Sequence, residues 1–156
     1  RKYYNAFIGY NMRMDELQAA FLKVKLKRLV NWTLQRQELA NIYYEELVDV
    51  RNIIIPKVIP DATHVYHLFV IRTTKRDHLQ TYLNTRGIAS LIHYPVPPHL
   101  QEAYSHLGYK KGDFPIAEEL AKTMLSLPLW PGMKRSQVRE VCDIIKDFFY
   151  HESQIR

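Results

Sequence analysis

The stretch GYNMRMDELQAA, residues 9–20, decides how this chain is organised, because a polar turn here leads directly into a very long helical pattern. Asn11 and Arg13 lie where that helix is expected to begin. The first N–H groups of a helix have no intrahelical partner, and the helix dipole is positive at this end. Such a corner suits a phosphate, but Asn is also a favoured N-cap. The spacing alone favours the helix cap and leaves a phosphate-binding role for Asn11 open.

The helical pattern behind this turn is unusually long. Residues 15–48 contain no Gly and no Pro, and apolar residues recur at helical spacing in both halves. The pattern predicts one long bent helix or two helices joined end to end. Some 30 helical residues would span roughly 45 Å, more than the diameter of a small domain, and helices of this length usually connect two bodies. We therefore expect the helix to contact something upstream in the chain or a second subunit.

The remainder of the chain alternates between strand-like and helix-like segments, which predicts an α/β fold. Residues 53–55 are apolar and β-branched, and residues 64–73 have two largely apolar faces, as in a central strand. Residues 88–92 form the next predicted strand. Residues 126–129 are predicted to be an edge strand, because Pro128 cannot donate to a ladder. Helices are expected between Thr74 and Gly87, over 100–107, from about Pro115 and after an N-cap at Ser136.

Composition and charge narrow the classes of partner. The chain is 47% hydrophobic and 24% charged, which is ordinary for a globular protein. It has no run of the roughly 18 apolar residues that a membrane span needs, and its polar start predicts no signal peptide. The net charge of +6 favours an anionic partner, either a nucleic acid or a phosphorylated small molecule, although a solvated helix face explains most of the lysines. The aromatic residues are mostly placed as core, so we expect no nucleic-acid platform.

The single cysteine, Cys142, lies on an apolar helical face and is predicted to be a small buried hydrophobe rather than a nucleophile. One cysteine cannot form an internal disulfide, and this pattern fits a reducing cytoplasm.

The loop HYPVPPH, residues 93–99, follows a predicted strand and carries the clearest candidate ligand groups. Its prolines hold the backbone extended and lower the entropy of presenting nearby side chains. His93 is either a polar group presented to a ligand or a hydrogen-bonded histidine at a strand end. Tyr94 either bonds a substrate hydroxyl or is an amphipathic residue at the rim. No metal site is expected, because His93 and His99 have no Cys or carboxylate beside them at ligand spacing.

Four motifs in order resemble the DegT/DnrJ/StrS family of pyridoxal-phosphate-dependent sugar aminotransferases. The likeness runs from about residue 4 to residue 149. The proline-rich loop is most similar to the subgroup that acts on nucleotide-linked 3-keto-6-deoxyhexoses. The motifs are GYNMRMDELQAA (9–20), HYPVPPHLQ (93–101), GY with GDFP (108–115) followed by Glu118, and SLPL (126–129).

The resemblance implies the C-terminal small domain of a fold type I aminotransferase, preceded by a long connecting helix. Residues 1–50 would be the end of the large domain with that helix, and residues 51–156 the small α/β domain. It also implies a homodimer with shared active sites. By the family motifs, Asn11 would bind the phosphate of pyridoxal 5′-phosphate in the other subunit. His93 and Tyr94 would contact the sugar nucleotide, whereas Arg13 would either touch ligand or brace the turn.

The implied reaction moves an amino group from glutamate to a nucleotide-linked keto-deoxy sugar. In this family the Schiff-base lysine, the aspartate that pairs with the pyridine nitrogen and the stacking aromatic residue lie upstream of the GYN motif. The resemblance therefore assigns no catalytic residue to this segment, which we expect to be inactive alone. Two alternatives stay open: a sugar-nucleotide dehydratase of the same fold, in which that lysine is replaced, and a non-catalytic basic interaction module.

Overall fold

The computed structural model describes residues 2–154 and contains two helices in tandem, a small sheet and three further α-helices. The long helical pattern is two helices joined by a turn at Lys27 and Arg28, one of the two predicted arrangements. The elements are α1 (Glu16–Leu26), α2 (Leu29–Leu47), β1 (Phe69–Arg72), α3 (Arg76–Thr85), two short 3-10 helices (Pro98–Leu100 and Glu102–Leu107), α4 (Pro115–Thr123), β2 (Met124–Leu127) and α5 (Arg135–Gln154).

The sheet is smaller than the sequence predicts, and its order differs. β1 and β2 pair antiparallel, with Phe69 opposite Leu127 and Val70 opposite Ser126. The segment predicted as strand 53–55 contributes a single bridge from Ile54 to β1, and the segment 88–92 a single bridge from Leu91 to Ser126. β2 therefore lies between β1 and Leu91, so the prediction of an edge strand is wrong.

Two local features explain where β1 begins and how β2 can be paired on both edges despite the nearby proline. The strand predicted over 64–73 begins only at Phe69, because Tyr66 has a left-handed backbone (φ 46°) and its N–H donates to His64 Nδ1, which makes a turn. Pro128 lies one residue beyond β2, so its lack of an N–H costs the sheet no hydrogen bond.

The helix boundaries largely agree with the predictions. Pro115 opens α4, and Gly87, with φ 76°, lies two residues beyond α3 as the predicted helix stop. The predicted cap at Ser136 is wrong, because α5 already begins at Arg135. The Lys134 N–H donates to Gln137 Oε1 at 2.9 Å, so the side chain of Gln137 satisfies the start of this helix instead.

The hydrophobic core lies between the second half of α2, α5, α3 and the sheet. Tyr43 is at its centre: the side chain is fully buried, the ring stacks on Phe69 at 4.8 Å, and the hydroxyl donates to the Pro128 carbonyl at 2.8 Å. Burial raises the pKa of Tyr43 far above its ordinary value of 10.0, with a smaller contribution from Cys142. The fully buried large side chains are Tyr43, Phe69, Leu47, Ile71, Leu79, Leu83, Leu125, Ile145, Val138 and Cys142.

Helix α1 has the opposite character, since none of its residues is buried. Leu17 is 73% exposed and Phe21 67% exposed. Apolar side chains continue before the helix, where Tyr10 is 95% exposed, and after it to Leu34. An apolar surface of this extent is typical of an interaction face.

Among the described residues, no helix combines the length and the apolar character that crossing a bilayer requires.

The hydrogen bond of Tyr43 gives a test of the core. We expect Tyr43→Phe to lower the free energy of unfolding by about 1–2 kcal/mol, because the Pro128 carbonyl loses its donor in a buried setting. The adjacent Tyr44, which is 47% exposed, is the matched control, and Tyr44→Phe should change stability by less than about 0.5 kcal/mol. Urea unfolding followed by circular dichroism measures both; equal effects would contradict the assignment.

The thiol of Cys142 gives a second test. The side chain is fully buried, as predicted, and burial followed by the charge of Glu46 raises its pKa to about 12. We expect no reaction with a disulfide reagent such as DTNB in the native protein at pH 8, because the thiolate is the nucleophile. In urea the single cysteine should react to one equivalent per chain. Rapid labelling of the native protein would show that the thiol is accessible.

Candidate functional site

The proline-rich loop begins where Leu91 bridges to β2, and this pairing positions His93. Its Nδ1 lies 2.9 Å from the Oγ of Ser126, a buried residue of β2. The Nε2 atom makes no hydrogen bond within the described part of the chain. His93 is therefore a hydrogen-bonded histidine at a strand end, and it also keeps one ring nitrogen available for a ligand.

Tyr94 follows His93 across a cis peptide bond and is 60% exposed. The ring of Tyr3 lies edge-on to both residues, with centroids 6.0 Å from His93 and 5.3 Å from Tyr94. The Lys2 ammonium lies 5.0 Å from the Tyr3 ring centroid. We call Tyr3, His93 and Tyr94 the aromatic trio. Tyr3 was not predicted as a site residue, because no local sequence pattern relates it to a loop 90 residues away.

A cavity of about 190 Å³ lies beneath the loop, between it and α4, and its walls are mostly apolar. Because His93 and Tyr94 form part of the wall, an apolar group of a ligand bound at the trio would find space here without meeting a charge. The lining residues are His93, Tyr94, Val96, Pro97, Pro98, Ala117, Leu120, Ala121 and Met124.

The far end of the loop is fixed by a buried ionisable pair. His99 Nε2 lies 3.1 Å from Glu118 Oε1, and both side chains are only 8% exposed. The same oxygen accepts the Gly112 N–H at 2.6 Å. The Gly112 hydrogen bond, with a smaller contribution from His99, lowers the pKa of Glu118 below its ordinary value of 4.5. This carboxylate on α4 therefore joins the loop to the turn that precedes the helix.

Asn11 does not cap α1. The N-cap is Asp15, whose Oδ1 accepts the Gln18 N–H at 2.7 Å. The cap interpretation of Asn11 is therefore wrong, and the Asp15 carboxylate occupies the helix start that the sequence suggested for an anion. Asn11 and Arg13 are exposed on the extended segment before the helix. Neither makes a hydrogen bond within residues 2–154, so no such bond links Asn11 to His93 or Tyr94.

Within the described residues, no three His, Cys, Asp or Glu side chains come together in a way that would hold a metal ion.

The protonation of His93 can be tested by titration. Burial, followed by the charges of Lys2 and His67, lowers its pKa below the ordinary value of 6.5. As the pH falls below about 6.5, the unfolded chain takes up a proton at His93 before the folded protein does, which lowers the free energy of unfolding. Above that pH the imidazole is neutral in both states, and the protein keeps its full stability.

NMR of the imidazole C–H signals should show His93 titrating below the range of an unfolded histidine, and His93→Gln should remove that signal. A midpoint at or above 6.5 would contradict the prediction.

Known proteins are similar to this chain over most of its length. The model of the DegT/DnrJ/EryC1/StrS aminotransferase family matches residues 1–146. The erythromycin biosynthesis sensory transduction protein EryC1 of Saccharopolyspora erythraea is 47% identical over 146 residues, which cover 94% of this chain and 40% of that protein. The dTDP-3-amino-3,6-dideoxy-alpha-D-galactopyranose transaminase of Aneurinibacillus thermoaerophilus is 43% identical over 150 residues, 96% of this chain and 40% of that protein. The chain thus spans about 40% of the length of these relatives.

Two solved structures have a fold similar to that of this chain. The structure of S. venezuelae DesV in complex with a ketimine intermediate is similar, with a TM-score of 0.85 and 40% identity, over 96% of this chain and 40% of that one. A DegT DnrJ EryC1 StrS aminotransferase from Brucella abortus gives a TM-score of 0.79 at 34% identity, over 96% of this chain and 39% of that one. These likenesses confirm the predicted fold class, part of an aminotransferase α/β fold. Since the family model covers nearly all of its length, the chain belongs to the DegT/DnrJ/EryC1/StrS aminotransferase family.

Proposed function

We propose that the complete protein is a pyridoxal-phosphate-dependent aminotransferase that transfers an amino group from glutamate to a nucleotide-linked keto-deoxy sugar. The observation that carries this proposal is the identity of 43% and 40% to two proteins named as transaminases of dTDP-linked amino deoxysugars. Residues 1–156 are the C-terminal portion, with residues 1–50 as the end of the large domain and the connecting helix, and residues 51–156 as the small domain.

The described residues fit one part of the cofactor, its phosphate. Asn11 offers an exposed amide with no hydrogen-bond partner within residues 2–154, on a segment whose apolar side chains are also exposed. In the proposed homodimer with shared active sites, this segment enters the partner subunit and the Asn11 amide donates to the phosphate. Bound pyridoxal phosphate supplies the electron sink of the reaction. The residues of this chain bind and orient.

The aromatic trio is the proposed sugar-nucleotide subsite. His93, neutral at pH 7, donates or accepts a hydrogen bond through Nε2 while Ser126 holds Nδ1. Tyr94, which is 60% exposed, bonds a second polar group of the sugar through its hydroxyl. The apolar cavity beside them suits the deoxy carbon of a keto-deoxy sugar, because a methyl group there needs no hydrogen-bond partner.

The exposed apolar surface supports the homodimer. Phe7, Tyr10 and Met12 are each at least 85% exposed, and α1 has apolar side chains on several sides. A helix that is apolar on more than one side is buried in its working state. This surface also argues against the basic interaction module, since the basic residues of α1 alternate with apolar ones instead of forming a continuous charged face. The lone buried thiol suits a reducing compartment, so the proposal includes a cytoplasmic location.

The function is tested on the full-length protein supplied with pyridoxal phosphate, glutamate and a dTDP-linked 3-keto-6-deoxyhexose. Formation of 2-oxoglutarate that depends on the sugar nucleotide, together with an amino sugar detected by mass spectrometry, is the expected result. Loss of water from the sugar without amination would instead identify the dehydratase. Absence of both products would refute an action on this sugar class.

The role of Asn11 is tested separately. We expect Asn11→Ala in the full-length protein to weaken retention of pyridoxal phosphate by roughly 10- to 100-fold, the effect of losing one hydrogen bond to a charged group. Asn84→Ala is the matched control, because Asn84 is also exposed but lies on α3, outside the exposed apolar stretch of residues 7–34. Cofactor absorbance per subunit after dialysis against graded concentrations measures the affinity. An unchanged affinity in Asn11→Ala would remove Asn11 from the phosphate site.

A further inference from the structure

Three buried polar side chains serve a single loop. A buried polar group costs stability unless it is hydrogen-bonded. The partners of such a group therefore indicate which part of the structure it holds in place. Ser126 bonds His93 at the start of the loop and Glu118 bonds His99 at its end. Gln101, which is 8% exposed, acts on the middle.

Gln101 uses both ends of its side-chain amide. Its Nε2 donates to the Val96 carbonyl at 3.2 Å and to the Tyr3 carbonyl at 3.0 Å. Its Oε1 accepts the Asn5 N–H at 3.0 Å. One side chain thus joins the loop to a segment almost 100 residues earlier in the sequence.

These bonds reach the aromatic trio from two directions. The bond to Val96 holds the loop two residues after Tyr94. The bonds to Tyr3 and Asn5 hold the segment whose ring contacts both His93 and Tyr94. A backbone bond from the Ala103 N–H to the Asn5 carbonyl, at 2.9 Å, joins the same segment to the residues just after Gln101.

We propose that Gln101 is a positioning residue: it fixes Tyr3 against His93 and Tyr94, and so sets the geometry of the sugar-nucleotide subsite. This inference rests on the proposed function, because that function assigns the trio to the substrate. Gln101 itself touches no reacting atom. Its effect passes through the backbone of Tyr3 and Val96.

The test uses the full-length enzyme and three variants. Gln101→Met keeps the approximate length of the side chain and removes all three hydrogen bonds. Gln101→Glu keeps the shape and the acceptor but replaces the two N–H donors by an oxygen that faces two carbonyls. Gln37→Met is the control, because Gln37 also donates to a backbone carbonyl, that of His64 at 3.0 Å, far from the loop in sequence.

Two readouts separate positioning from general destabilisation. Both Gln101 variants should lower kcat/KM for the sugar nucleotide by roughly 10- to 100-fold, as expected when a binding group is misplaced by about 1 Å. The rate of the half-reaction with the amino donor alone should stay within about twofold of wild type, because the proposed function assigns the trio to the sugar nucleotide. Hydrogen exchange should become faster in peptides covering 2–6 and 93–98, and remain unchanged in α5 over 138–149. Gln37→Met should leave every measurement at the wild-type level.

Equal losses in both half-reactions, or wild-type exchange in those two peptides, would overturn the proposal. A wild-type enzyme that aminates no nucleotide sugar would refute the proposed function instead. In that case the exchange measurements still decide whether Gln101 holds Tyr3 against the loop.

Discussion

The pairing of β2 on both of its edges is the constraint on which this structure depends. On one side its residues bond β1, and on the other Ser126 exchanges two backbone hydrogen bonds with Leu91, at 2.8 and 3.1 Å. This second pairing carries the chain to the start of the proline-rich loop and leaves the Ser126 hydroxyl within reach of His93. The core depends on the same strand, because the carbonyl just after it, that of Pro128, accepts the Tyr43 hydroxyl from α2. A short strand therefore links the packing of the helices to the position of the candidate ligand groups.

The described residues divide into a part with a buried apolar core and a part without one. From the second half of α2 onward, apolar side chains meet in one core. From Phe7 to Leu34 most of them remain exposed, although the backbone of α1 is regular and Asp15 caps it. A helix of 11 residues gains most of its stability from packing its apolar side chains, so α1 needs another body to cover them. The proposed dimer supplies that body and also accounts for the exposed amide of Asn11.

Local signals predicted the helices well and the sheet poorly. The Gly and Pro positions around α3 and α4 act on the residues next to them, so Gly87 and Pro115 could be assigned directly. Strand pairing depends on partners far away in sequence. The apolar segments 53–55 and 88–92 have strand composition but contribute one bridge each, and β2 lies between two partners although its proline suggested an edge. In the same way, Asn11 is of a residue type favoured at N-caps, but the helix begins later and Asp15 caps it by accepting the Gln18 N–H.

The sequence by itself determined the α/β class through its alternation of strand-like and helix-like segments. The resemblance of four ordered motifs indicated the family and singled out the loop that carries His93 and Tyr94. Only the tertiary structure decided what surrounds that loop. Tyr3 joins His93 and Tyr94, Ser126 takes the Nδ1 of His93, and Gln101 ties the loop to residues 3–5. Each of these contacts joins residues more than 30 positions apart in the sequence. Such pairings are set by the packing of the whole chain, and no local propensity encodes them.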